Sequence, residues 1–86
     1  MHGHVIEPQP PGFEYGMTVR VKSDAPVHLR PGAVGSAVSF ETVRIEWAHN
    51  RDWPVGTLLY LVEYTDGEAQ LMPASMTVRE PEEPAG

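Results

Sequence analysis

Residues 58–64 read Leu-Leu-Tyr-Leu-Val-Glu-Tyr, and Asp66-Gly67 follows them between Thr65 and Glu68. A run of leucine, aromatic and β-branched side chains closed by Asp-Gly is a strong short-range signal for a β-hairpin. Asp-Gly suits the two positive-φ positions of a type I′ turn, which predicts a two-residue loop. That loop sets Tyr64 opposite Ala69, Glu63 opposite Gln70, Val62 opposite Leu71 and Leu61 opposite Met72. Side chains alternate with a period of two along a strand, so register decides which face each residue occupies. Tyr60, Val62, Tyr64, Ala69 and Leu71 are thereby assigned to the core. Leu59, Leu61, Glu63, Gln70 and Met72 are assigned outward.

The rest of the chain supports the same class. No window of ten residues keeps an uninterrupted amphipathic helical pattern. Met17, Val19 and Val21 alternate with polar residues, as in a half-buried strand following the turn residue Gly16. Asp24, Pro26 and Pro31 break up the next stretch. Alternation resumes through Val34, Ser36, Val38 and Phe40, then changes phase to Val43, Ile45 and Trp47. The change predicts a bulge or tight turn at Glu41-Thr42. Residues 48–57 form a second loop. Pro73 ends the return strand of the hairpin, a short helical turn follows to Met76, and Thr77-Val78-Arg79 makes a last strand. The expected class is all-β, with five strands and a helical turn before the last.

Composition bounds what such a domain does. The prolines at 8, 10, 11, 81 and 84 mark flexible ends, giving tails at 1–12 and 80–86 around one folded unit at 13–79. Net charge is −6, but setting aside Glu7, Glu80, Glu82 and Glu83 leaves 8 acids against 6 bases. The basic residues are scattered, which argues against nucleic acid and against an anionic lipid surface. Without cysteine the chain has neither a disulfide staple nor a thiolate zinc site. It has no apolar run of the roughly 20 residues a membrane span needs, and no signal-peptide layout, so a cytoplasmic location is the expectation.

Taken together, GMTVRVKS, RPGAVGSAV and LYLVEYTDG with its return QLMPASMTV resemble the SH3-like small barrel, over Tyr15 to Arg79. The resemblance implies a single five-stranded barrel and leaves function open, since that fold hosts unrelated activities. A monomeric barrel normally presents polar residues outward. Leu59, Leu61 and Met72 instead form an expected apolar patch beside Gln70, pointing to self-association or to a protein partner. Trp53-Pro54 in the second loop offers an aromatic shelf at its border, or a pin for the loop.

Catalytic signals are missing. There is no G-x-S-x-G, P-loop or H-E-x-x-H motif, and the serines lack histidine neighbours in sequence. His28, His49, Asp52 and Glu46 lie in or beside the two loops, but four ligand-type residues there fall short of a metal motif. We expect neither a cofactor nor a metal. Val19-Arg20-Val21-Lys22-Ser23 and Ala69-Gln70-Leu71-Met72-Pro73 resemble segments of the plasmid-borne type II dihydrofolate reductases. That similarity implies an alternative, an oligomeric NADPH-dependent enzyme with Gln70 and Lys22 facing a pore. Gly16-x-x-Val19-Arg20-Val21, Arg30-Pro31-Gly32-x-x-Gly35 and Leu59-Tyr60-x-Val62 are similar to the barrel domain of nitrile hydratase β subunits, which implies an accessory barrel packed on a partner. The leading expectation is a non-catalytic SH3-like module that binds itself or another protein.

Overall fold

A computed structural model describes residues 9–45 and 53–80. They form an all-β domain of five strands: β1 Met17–Val21, β2 Val34–Thr42, β3 Leu58–Tyr64, β4 Ala69–Pro73 and β5 Thr77–Arg79. One-turn 3-10 helices occupy Val27–Leu29 and Ala74–Met76. All pairings are antiparallel, and the sheet runs β4-β3-β2-β1-β5. Consecutive strands are neighbours until the last, which returns across the sheet to pair with the first.

The alternation read from β1 holds: Met17, Val19 and Val21 are buried, while Thr18 and Arg20 face out. They join Ala37, Tyr60, Val62, Tyr64 and Met72 in one core, capped by Phe13, Ala25 and Leu29 from the loops. Phe13 is held edge-on between Tyr15 and Phe40, with centroids 4.9 Å apart in both pairs, so part of the lid is aromatic. A buried carbonyl is also satisfied here, because the Tyr64 hydroxyl lies 2.8 Å from the Leu29 oxygen.

Two features of register differ from expectation. The phase change lies at Val38 rather than at Glu41-Thr42, and β2 continues unbroken to Thr42. Val62 pairs with Ala37 and Leu61 with Ser39, so Val38 is the extra residue of a bulge. Ala37 rather than Val38 therefore points into the core, and beyond the bulge β2 keeps β3 as its neighbour but no longer pairs with β1. Val43 is buried as the odd-numbered pattern requires, whereas Ile45 is exposed. Trp47 lies outside the described residues.

The hairpin is the second correction. Its loop has three residues, Thr65, Asp66 and Gly67, not two. Gly67 donates its N–H to the Tyr64 carbonyl, and the Tyr64 N–H reaches the Glu68 carbonyl. Only Gly67 has positive φ, at 92°. This is a type I turn followed by a glycine bulge, the other common use of Asp-Gly in a hairpin. Asp66 keeps negative φ and spends its Oδ1 on the Glu68 N–H at 3.0 Å. The extra loop residue moves the register by one: Glu63 faces Ala69, Val62 faces Gln70, Leu61 faces Leu71 and Tyr60 faces Met72.

Tight approach also fixes Gly35. A Cβ there would stand 2.6 Å from the Glu63 carbonyl oxygen and 2.8 Å from Val62 Cγ1. The ends contribute some order of their own. Glu80, which falls in the expected acidic tail, donates its N–H to Thr18, and its carboxylate takes two hydrogen bonds from Arg20. Residues 1–8 and 81–86, where most of both tails lies, are outside the described residues.

Candidate functional site

The one-residue shift redistributes the expected apolar patch. Met72 moves to the core face and is 0% exposed, and Gln70 moves with it. Gln70 is half-buried there, its Oε1 3.0 Å from the Tyr64 hydroxyl. Leu71, assigned to the core from sequence, stands instead on the outer face directly opposite Leu61. Leu59 is on the outer face as expected, but it too is 0% exposed. Neither Leu59 nor Met72 offers surface to a partner. The signal that separates the two registers, the conformation of Asp66, is not written in the dipeptide.

What remains is a lateral row across three strands. Ser39 of β2 pairs with Leu61 of β3, and Leu61 pairs with Leu71 of β4. Both leucines are half-buried. The next row holds Glu63 and Ala69, and the row beyond the leucines holds Leu59 and the buried Pro73. Leu59 and Val43 are shut off from solvent yet stand apart from the main core cluster. The outer face is therefore apolar at one end and acidic at the other. Trp53 is half-buried. Its expected loop neighbours His49 and Asp52 lie outside the described residues, as does Glu46.

A charged cluster sits at the hairpin tip. Arg30 is the one non-glycine with positive φ among the described residues, at 62°, and it precedes Pro31. Its guanidinium stacks 4.5 Å from the Tyr64 ring centre and bonds Asp66 Oδ2 at 2.9 Å. The Glu68 N–H, and then Arg30, hold the Asp66 carboxyl below its usual range, while the bond to Asp66 raises Arg30. Burial pushes the Tyr64 hydroxyl up. Each charge of this cluster is spent on another member, so it clamps the 22–33 loop to the hairpin.

One concavity among the described residues, of about 510 Å³, lies between Arg20, Lys22, Asp24, Val78 and Glu80. Arg20 is used up within it, on Glu80 and on the Gly32 carbonyl. Among the described residues, no three His, Asp or Glu side chains converge as a metal site would require. Lys22 follows β1 and Gln70 lies in β4, so β2 and β3 stand between them in the sheet. No family model, curated protein or solved structure matches the chain.

Proposed function

We propose that this chain is a small non-catalytic module of SH3-like barrel architecture that works by binding protein, first of all a second copy of itself. The strand order supports the architecture, with β5 returning to β1 after a 3-10 turn. The bulge in the nine-residue β2 supports it too, since a bulge bends a long strand so that it can serve two sheet layers. The observation that carries the binding reading is the Leu61–Leu71 pair on the face turned away from the core. Half-exposed leucines directly opposite one another gain when a partner removes them from water, at about 25 cal/mol per Å² buried.

Light scattering on the wild-type chain and on Leu61→Glu tests this. The wild type is expected to show a mass above one chain at high concentration, and the variant to return to monomer with its thermal transition kept. A burial-driven interface does not tolerate a desolvated carboxylate. Self-association that survives Leu61→Glu unchanged removes this face from the binding surface.

A further inference from the structure

Among the described residues β4 is an outer strand of the sheet, and the two edges are built differently. The β5 edge is three residues long and carries Arg79, which pairs with Glu14, next to Glu80. Short, charged edges of that kind resist pairing with another chain. The β4 edge is Ala-Gln-Leu-Met-Pro, five residues without a charge. Its backbone groups follow from the hairpin bonds. Tyr64 and Glu68 form a hydrogen-bonded pair, so alternation makes Val62–Gln70 and Tyr60–Met72 the next such pairs. Ala69, Leu71 and Pro73 therefore direct their backbone outward. Pro73 fits this parity, because its missing N–H falls on the open side.

We propose that two copies of this chain pair antiparallel along their β4 edges, with the two-fold axis at Gln70. This rests on the self-association reading and specifies its geometry. The register follows from the donors. An axis at Gln70 sets Ala69 against Leu71 of the second copy, and the reverse, so all four outward N–H groups meet carbonyls. An axis at Leu71 would set Ala69 against Pro73, which has no N–H to return. In the chosen register Leu71 packs on the second copy's Ala69 and, diagonally, on its Leu71, within reach for long side chains. Leu61 extends this apolar strip inward on both copies. Glu63 lies in line with Ala69 and so looks across to Leu71 and Leu61 of the second copy, with no carboxylate opposite a carboxylate. Each chain carries −6, and the copies repel at long range, so the pairing strengthens as salt screens that charge.

The absence of cysteine makes a direct test simple. Facing residues of a non-hydrogen-bonded antiparallel pair have Cα atoms about 4.5 Å apart, inside the range a disulfide spans. Oxidised Gln70→Cys is expected to run as a covalent dimer on a non-reducing gel, while Val78→Cys on the exposed β5 edge stays monomeric. Ala69→Pro removes an N–H that the β3–β4 ladder directs outward and does not use. Sedimentation should then show monomer with the thermal transition retained. Equal cross-linking at 70 and 78, or none at 70, overturns the edge pairing even if Ala69→Pro does not fold. Self-association that ignores Ala69→Pro but is abolished by Leu61→Glu overturns the edge geometry and leaves the face reading standing. A wild-type chain that is monomeric at every concentration removes both.

Discussion

The Tyr64 hydroxyl lies 2.8 Å from the Leu29 carbonyl oxygen, joining the end of the core hairpin to a 3-10 turn 35 positions away in sequence. Arg30 covers the same ring from outside and holds Asp66 at the hairpin tip. One aromatic side chain thus fixes the long loop after β1 against β3. Tyr64→Phe keeps the ring and the cation–π contact but leaves the Leu29 carbonyl without its partner. We expect a loss of about 1–3 kcal/mol in chemical denaturation, the usual cost of an unpaired buried acceptor. An unchanged midpoint would mean that water reaches Leu29.

Asp66 gives the clamp a pH dependence of defined sign. Its carboxyl is held below the ordinary value of 3.8, first by the Glu68 N–H and then by Arg30. A lowered acid stabilises the fold above its unfolded value, and that contribution is lost as pH falls through the folded one. Thermal stability should therefore drop below about pH 4. Asp66→Asn keeps an acceptor for Glu68 and removes the charge, so the acid limb should flatten in a melting series from neutral to acid. An identical acid limb would assign the loss to other carboxylates.

Gly67 and Gly35 answer to different physics. Gly67→Val forces a β-branched residue to φ near 92° and should cost about 1–3 kcal/mol. Gly35→Ala has no dihedral problem; its methyl meets the Glu63 carbonyl at 2.6 Å. The backbone there is fixed by the ladder between β2 and β3, so a loss of about 1–3 kcal/mol is expected from overpacking. Equal stability of wild type and Gly35→Ala in urea would show that the two strands separate freely at this point.

Much of this fold is legible from periodicity. Met17, Val19 and Val21, and likewise Tyr60, Val62 and Tyr64, announce their inward face because strand alternation is a strict period of two. What periodicity cannot supply is the count of residues in a turn or bulge. Asp-Gly serves both a two-residue and a three-residue loop, and the choice rests on whether Asp66 adopts positive φ. Its Oδ1 bond to Glu68 accompanies the negative one. That single residue exchanges Leu71 for Met72 on the outer face. The bulge at Val38 is hidden for the same reason, since Ala37, Val38 and Ser39 carry no turn chemistry. The burial of Leu59 escapes strand alternation altogether, which places it on the outer face without saying whether anything covers it.

Which residues stand on the outer face depends on the register of β3 against β4, and proton–proton contacts across the hairpin report it directly. Non-hydrogen-bonded antiparallel pairs bring their Hα atoms into close contact, and hydrogen-bonded pairs do not. A nuclear Overhauser spectrum should show Hα–Hα contacts from Leu61 to Leu71 and from Glu63 to Ala69. Contacts from Val62 to Leu71 and from Tyr64 to Ala69 would instead restore the two-residue turn. Leu71 would then lie in the core, Met72 would face out beside Leu61, and the Leu61–Leu71 binding face would not exist.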